Sequence, residues 1–462
     1  MFDPKFKLIL LAVLGVIEAS SSVYAYDGIN IDKVEVVSQT PLATLGVPIN
    51  EVPSNVQVAT AKDVAQQQST NLADFINDNL GSVNISNGTG NPFQPDVEYR
   101  GFTASPQLGQ PAGLSVFFDG VRVNEPLGDI VNWDLIPMNA IAGINLMPGS
   151  NPLFGLNTLG GALAVTTKNG ADFPGTNATV SGGSWGGRQF QVETGGEIKE
   201  HNLDYFVAGN FYHQDGWREA TSSDVNQIFG KVRWHSDVSA LELSLALADN
   251  NMNQGQTLPM SMMSNPKQAY TGPDWVKNQM AFINLKGSTF LSDTKLLEGN
   301  VYYRRSNSQA LNSNAAIDNS CDTACAGWTQ PSTGGISDYS VDASNAYSHV
   351  YQTGVGTSAQ MSFLDDVFAH KNKFTGGASV DVSRVTFNQS TYTASLIGNQ
   401  TINDPSVTFD GLGNSLPYLQ DQVNFQSRNY YYGVFVADTF AVNQLEVIFG
   451  AMEMQGVKGC AT

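Results

Sequence analysis

The sequence predicts an α+β domain up to about residue 170, followed by a long run of antiparallel β-structure. Three observations carry that reading. Between Val56 and Leu146, capped helical patterns mix with short β-prone runs. From Gly149 to Lys168 the chain reads GSNPLFGLNTLGGALAVTTK, with Gly149, Gly155, Gly160 and Gly161 punctuating it before the β-rich run Ala162–Thr167. After about Ala171, apolar and polar side chains alternate over many segments. Alternation fits a soluble sandwich as well as a membrane barrel, so by itself it leaves both open.

Composition narrows the class. The 462 residues carry a formal net charge of −19, only 14% are charged, and glycine (45) is abundant. An acidic balance argues against a nucleic-acid partner, which calls for a basic stripe. Low charge with many Gly, Asn, Ser, Thr and aromatic residues suits an extended β surface. Residues 1–25 read as a secretory signal: Lys5 and Lys7 precede the apolar run Leu8–Ile17, and Val23-Tyr24-Ala25 suits cleavage. That run is too short for a spanning helix, so any membrane crossing is expected to use strands.

Residues 26–55 are mostly polar around one β-prone patch, Val34-Glu35-Val36-Val37-Ser38. Such a patch can serve as an ordinary first strand or as a strand added to a partner's sheet. Thr60-Ala61-Lys62-Asp63 marks a helix start, with an acidic residue three positions after a capping threonine. Ser69 or Thr70 is expected to cap a second helix, whose Leu72, Phe75, Ile76 and Leu80 fall at helical spacing and stop at Gly81. Val97–Phe102 and Leu114–Phe118 read as strands. Asp119-Gly120 signals a hairpin into Val121-Arg122-Val123, Trp133–Ile141 is a turn or short helix, and Ile144–Met147 is another strand. The glycines of 149–161 permit tight turns and close backbone approach, because they lack a Cβ. They do not form a phosphate loop, since no Gly-Lys-Ser/Thr follows.

Four landmarks in order resemble the plug domain of TonB-dependent outer-membrane receptors: Tyr99-Arg100-Gly101-Phe102, Val116–Val121, Asp134-Leu135-Ile136-Pro137 and the glycine stretch. Arg100, Gly101, Asp119, Gly120, Gly149, Gly155, Gly160 and Gly161 are the structural positions it picks out. One departure matters. Where the family has a Glu-x-x-Arg-Gly-Pro run, this chain has Asn145-Leu146-Met147-Pro148-Gly149-Ser150, so that run's ion pairs cannot be carried over. The resemblance implies a TonB box at Val34–Ser38 as the energy-coupling segment, a plug over residues 56–170, and barrel strands over 171–462. With it, segment lengths near ten residues and interface-type aromatics (Tyr302, Tyr303, Tyr430–Tyr432) favour the transmembrane barrel.

Within the barrel, Leu241, Leu243, Leu245 and Leu247 alternate with Glu242, Ser244, Ala246 and Ala248. Ile228, Gly230, Val232 and Trp234 alternate with Gln227, Phe229, Lys231 and Arg233; Phe374–Val382 behaves likewise. Ser306–Ala346 and Tyr392–Gln426 read as extracellular loops. Roughly a dozen strands fit after Ala171, against about 22 in plugged transporter barrels, and Met452–Thr462 shows no alternation. The expectation is therefore a truncated receptor with an incomplete barrel.

By the same resemblance the function is energised uptake. The expected partners are TonB with its inner-membrane complex, outer-membrane lipid, and a small ligand or chelate such as a siderophore, cobalamin or sugar. The alternatives are a secreted β-rich binding or adhesion protein and a passive porin. Phe93, Gln94, Ser105 and Gln107, in polar or proline-rich plug loops, are the expected ligand contacts. No catalytic residue, cofactor or metal is expected: no His spacing of the H-E-x-x-H type and no nucleophile elbow occurs. Cys321 and Cys325 lie four apart with no Cys or His pair nearby to complete a zinc site, which reads as a small disulfide loop in an oxidising compartment. So small a loop restricts little of the unfolded chain, and a modest stability gain is expected. Mass spectrometry of non-reduced peptides is expected to show the bridge; two free thiols in exported protein would exclude it.

Overall fold

The computed structural model describes residues 36–37, 40–42, 46–49, 52, 54–149, 152–258, 260–315, 343–368, 370–397, 400–402, 408–409, 414–415, 419–442 and 445–455. The signal-peptide expectation, Cys321 and Cys325 lie outside them.

Chain order begins with β1 (Val36–Val37) and β2 (Val47–Pro48), an antiparallel pair. β3 (Gln57–Thr60) runs into helix α1 (Ala61–Gln67). The expected capping box is present: Thr60 Oγ1 accepts from the Asp63 amide, and the Asp63 carboxylate accepts from the Thr60 amide at 2.8 Å. Helix α2 (Leu72–Asn79) is capped by Asn71 rather than Ser69 or Thr70, with Asn71 Oδ1 accepting from the Asp74 amide at 2.9 Å. Asparagine caps as well as serine, and it stands directly before the first apolar position. The helix ends on Leu80 in extended conformation, and Ser82 rather than Gly81 takes the left-handed position.

β4 (Val83–Ser86), β5 (Asp96–Tyr99) and β6 (Phe102–Ala104) form a small antiparallel sheet. The run Val97–Phe102 is thus a hairpin, not one strand: Arg100 (φ 52°) and Gly101 (φ 85°) make its turn. A second two-residue turn of the same kind, Asp119 (φ 46°) and Gly120 (φ 85°), joins β7 (Leu114–Phe118) to β8 (Val121–Arg122). After single 3₁₀ turns at Trp133–Leu135 and Met138–Ala140 come β9 (Ile141–Pro148) and β10 (Gly161–Thr167). The domain's main sheet has the order β3-β9-β10-β7-β8, with β10 parallel to β7 and antiparallel to β9. The glycine stretch therefore delivers the central strand. Gly149 turns at φ 82°, and its amide bonds to the Gly160 carbonyl at 2.9 Å. A Cβ on Gly160 would collide with Phe102, and one on Gly161 would sit 2.5 Å from the Met147 carbonyl oxygen.

The second unit is one antiparallel meander: β11 (Gly175–Gly182), β12 (Arg188–Ile198), β13 (Leu203–Gln214), β14 (Ser223–His235), β15 (Ser239–Gln254), β16 (Asp274–Ser292), β17 (Lys295–Ala315), β18 (Ala343–Phe363) and β19 (Asn372–Ile397). The short β20 (Gln400–Ile402) pairs back onto β19, and β21 (Thr408–Phe409) pairs with β22 (Asn414–Ser415). β23 (Leu419–Val442) and β24 (Leu445–Gln455) complete a 12-stranded sheet; among the described residues its two end strands, β11 and β24, do not pair with each other.

The alternation reads out as expected. Leu241, Leu243 and Leu245 are exposed on the outer face, while Ser244, Ala246 and Ala248 are buried on the inner one. β11 to β14 and β24 are 8 to 13 residues long, near the expected ten, but β15 to β19 and β23 are much longer, reaching 26 in β19. Much of Ser306–Ala346 and Tyr392–Gln426, read as loop, is strand. The reason is physical. Above an apolar band both faces of a strand can be polar, so the alternation that marks a strand disappears.

The N-terminal domain lies against the inner face of the sheet. Its core of Leu72, Phe75, Ile76, Val97, Tyr99, Val116, Ile144 and Leu163 is continuous with inward-pointing Phe206, Phe229 and Phe282 of β13, β14 and β16. Phe118 makes edge contacts with Phe229 and Phe282 at 6.1 and 5.8 Å between ring centroids. Because Gly161 faces backbone rather than a movable side chain, Gly161→Ala is expected to cost about 1–3 kcal/mol. Urea denaturation of the full chain should show a lowered midpoint, and an unchanged midpoint would contradict the close approach.

Candidate functional site

The chemistry-bearing residues converge on the interface between the domain and the strands. At its centre is Asp134, buried in a 3₁₀ turn. Its Oδ1 accepts from Gln94 Nε2 (2.7 Å) and Asn278 Nδ2 (2.9 Å), and its Oδ2 from Asn250 Nδ2 (2.7 Å). Its backbone carbonyl accepts from Gln227 Nε2 (2.6 Å) and again from Asn250 (2.8 Å). Three adjacent strands, β14, β15 and β16, thus each extend an inward amide to one residue. Burial pushes the Asp134 pKa up to about 6, although the amide hydrogen bonds pull the other way.

Charge pairs flank this centre. Asp119 accepts from the Thr167 amide (2.9 Å) and hydroxyl (2.5 Å), and Lys231 of β14 stands 3.2 Å away. Burial alone would raise the Asp119 pKa; Lys231, the Thr167 bonds and Lys286 outweigh it and hold the pKa below the ordinary value. Glu125, in the loop after β8, meets Arg304 Nη2 at 2.6 Å, Ser306 Oγ at 3.1 Å and Gln352 Nε2 at 3.1 Å. Arg304 also donates to the Val123 carbonyl at 2.8 Å. Lys168, just after β10, pairs with Glu193 of β12 at 2.7 Å and lies over Phe173 and Phe206. These pairs join the two units without the Glu-x-x-Arg run absent from the sequence.

Of the expected coupling segment, Val36 and Val37 are described; Val34, Glu35 and Ser38 lie outside the described residues. Val36 and Val37 pair with Pro48 and Val47. Val37 is 1% exposed and packs with Phe117, Phe154 and Phe435 of β23. Thr40 Oγ1 donates to Gln360 of β18 at 2.8 Å. Val36 and Val37 are thus strand-paired, and Val37 is covered.

The expected ligand contacts fall differently from the exposed loops anticipated. Phe93, Gln94 and Ser105 are buried. Phe93 packs edge-on against Tyr212 of β13 (5.0 Å) in a cluster with Val225 and Met252; Gln94 serves Asp134; Ser105 bonds to Asp96 and to the Gln107 amide. Gln107 is half-exposed beside them. The polar character of these loops reflects the polar wall they dock on. Arg100 is exposed in its turn, its guanidinium 5.2 Å from the Tyr99 ring centre. Asp119 and Gly120 form their turn at the interface itself, and Gly149, Gly155, Gly160 and Gly161 shape the approach to β10. Among the described residues, no cluster of His, Cys, Asp or Glu is arranged to hold a metal ion.

The sequence reading missed Asp134 as a hub, and Glu125, Arg304, Lys168 and Lys231 as its flanks. A signal existed: in a chain so poor in charge, Lys231 and the amides Gln227, Asn250 and Asn278 occupy inward positions of alternating strands.

Comparisons with known proteins agree with this geometry. Residues 48–162 match the family model of the TonB-dependent Receptor Plug Domain. No curated protein compared with the chain matches it. Solved structures similar to it include P. aeruginosa FpvA bound to heterologous pyoverdines, at 12% identity and TM-score 0.67 over 90% of this chain and 53% of that one. The ferric-catecholate import receptor Fiu from E. coli K12 is 13% identical with TM-score 0.65, over 91% and 58%. The ferric citrate transporter FecA in its unliganded form is 12% identical with TM-score 0.64, over 88% and 56%. The chain thus spans somewhat more than half the length of these receptors. Residues 48–162 thus match a plug-domain family, and the domain together with the strands behind it shares the fold of these receptors.

The Asp134 shift sets a pH dependence. A carboxyl whose pKa rises on folding holds its proton more tightly when folded, so its stability contribution is full below about 3.8 and declines as pH rises through about 6. Relative to Asp134→Asn, the wild-type chain is expected to lose on the order of 3 kcal/mol between pH 4 and pH 7. Urea midpoints of both proteins across that range check it, and parallel pH profiles would contradict it.

Proposed function

We propose that the chain acts in TonB-energised uptake across the outer membrane, with a ferric chelate as the leading ligand class. One observation carries the reading: a plug domain fills the inner face of a sheet whose outer face is apolar, and its N-terminal β-prone segment is held by a ladder only two residues long. A plug bonded to several strands leaves a passive porin no open path. The exposed leucines of β15 suit lipid better than the surface of a secreted adhesin.

In this reading a ligand binds on the outer side of the plug, Val36 and Val37 part from β2, and Val34–Ser38 pairs with a strand of TonB. Tension on it then shifts the plug. The ferric-chelate assignment rests on the similar solved receptors: a ferric citrate transporter, a ferric-catecholate import receptor and FpvA bound to iron–pyoverdine. An acidic chain is also compatible with cationic cargo.

Val36→Pro is expected to abolish crosslinking to TonB, because proline removes a backbone donor and resists strand pairing. Wild-type crosslinking yield would refute the coupling role of the segment. Uptake profiling of ferric chelates against cobalamin and sugars tests the ligand class; uptake of only the latter two would overturn it.

A further inference from the structure

The inner face of β17, β18, β19 and β23 carries a row of oxygen ligands that the docking of the plug does not use. The register sets it. Tyr302 pairs with Gly356, Gly356 with Asp381, and Asp381 with Tyr431, so these positions share one face. That face is the inner one, since the Tyr302 ring packs against buried Phe282, 6.4 Å between centroids. Tyr302 reaches across β18 and donates its hydroxyl hydrogen to Asp381 Oδ1 at 2.5 Å. Gly356 makes the reach possible: a Cβ there would lie 2.2 Å from Asp381 Oδ1 and 2.4 Å from Tyr302 Cε1. Tyr431 flanks Asp381 on the far side as its direct cross-strand partner, at a Cβ separation of about 5 Å.

Tyr302, Asp381 and Tyr431 line a cavity of about 160 Å³ between the plug and the strands. The next inward row is Arg304, Gly354, Ser383 and Asn429, so a second glycine of β18 keeps the space open. Arg304 and Ser383 line the same cavity and are more than nine-tenths buried. Among the described residues, Arg304 Nε and Ser383 Oγ have no hydrogen-bond partner. Arg122 of β8 lines the cavity from the plug side; its Nη2 pairs with Asp129, and its buried Nε also lacks a partner. A buried donor left unpaired is costly. Three of them on one cavity describe a place for an acceptor.

The two rows differ in chemistry, and the difference points to one kind of occupant. Two phenols and a carboxylate are oxygen ligands, which select hard cations. A phenol keeps its proton at neutral pH unless a strongly polarising cation displaces it. Trivalent iron does so, whereas calcium and magnesium do not. The 2.5 Å between Tyr302 Oη and Asp381 Oδ1 is near the edge of an octahedral oxygen shell, about 2.8 Å for metal–oxygen bonds of about 2.0 Å. Two phenolates and one carboxylate also balance a triply charged ion. They occupy three positions of the shell, and an oxyanion bonded to the donors of the upper row suits those left over.

We propose that Tyr302, Asp381 and Tyr431 form a transit site for ferric iron between plug and wall, completed by an oxyanion held on Arg122, Arg304 and Ser383. On binding, the Tyr302 proton now donated to Asp381 and the Tyr431 proton leave to water. The three oxygens turn to the metal, and iron stays trivalent throughout. Pro41 and Leu42, just past the coupling segment, line the same cavity, so tension on that segment reaches the wall of the site. The site deepens the uptake reading and rests on it for the arrival of iron; the choice of metal rests on the phenol and carboxylate ligands.

The test titrates the full chain in detergent micelles with ferric nitrilotriacetate in bicarbonate buffer. The readout is visible absorption, because phenolate bound to ferric iron gives a charge-transfer band that neither partner shows alone. The wild-type chain is expected to develop the band and to saturate near one iron per chain. Tyr302→Phe combined with Tyr431→Phe should abolish it, and Asp381→Asn should weaken iron binding about ten-fold or more. Ser383→Val should weaken it when bicarbonate is limiting. Tyr303→Phe and Tyr432→Phe, on the outward face, should leave the band unchanged. A far-ultraviolet circular dichroism spectrum matching wild type certifies each variant's fold. A wild-type chain without the band, or a band that survives in the double phenylalanine variant, would overturn the inference. Uptake profiling separates the two readings: import of a ferric chelate without the band keeps the uptake reading and sinks the site, while the band without import does the reverse.

Discussion

The interaction on which the rest depends is the one between a polar barrel wall and a domain that must satisfy it. A strand that shows lipid an apolar face has its other face left for polar side chains, because successive residues point to opposite sides. When a folded domain covers that inner face, every amide and charge on it leaves water. A buried polar group without a partner costs about 1–3 kcal/mol, so the wall dictates what the domain must offer. Asp134 answers three strands at once, and Glu125 answers β17 and β18.

That demand explains the choice between neutral and charged contacts. A buried ion pair contributes little net stability, yet breaking it by removing one partner costs about 3–5 kcal/mol. Pairs such as Asp119–Lys231 and Glu125–Arg304 therefore act mainly as position markers. They tolerate one docking register and penalise others. Between them the contact is aromatic and adaptable, with Phe118 wedged against Phe229 and Phe282. Register comes from charge, and area from rings.

Seen this way, what the sequence revealed and concealed has a common cause. Elements that obey local rules were legible: the Thr60–Asp63 capping box, the Asp119-Gly120 turn, the Gly160-Gly161 approach and the alternation of β14 and β15. The polar upper halves of β17, β18 and β19 were not, because strands with water on one side and polar lumen on the other lose their hydropathy period. Phe93 and Gln94 looked exposed for a related reason, since a loop docked on a polar wall has the composition of a loop in water. Asp134 gave no local sign, as its partners lie 40 to 144 residues away along the chain.

The two attachments of the plug also differ in strength, and the difference orders what tension can do. The segment at Val36–Val37 is held by a two-residue ladder, the burial of Val37, and the Thr40–Gln360 hydrogen bond. At about 1 kcal/mol per hydrogen bond and about 1.5–3 kcal/mol for a buried valine, that hold is a few kcal/mol. The body of the plug is held by a continuous aromatic core, the Asp134 amides and several buried charge pairs, which together outweigh the segment's hold. Tension applied at Val36 therefore frees the segment well before it moves the plug. Where it then acts follows from the chain path: Val56 packs in the same cluster as Val37 and leads directly into β3, which pairs with β9 at the edge of the central sheet. The load reaches β3 before it reaches β10, β7 or the ion pairs beyond. On the uptake reading, the strand most readily displaced is the one next to the coupling segment, while Asp134 and Glu125 keep the remainder seated on the wall.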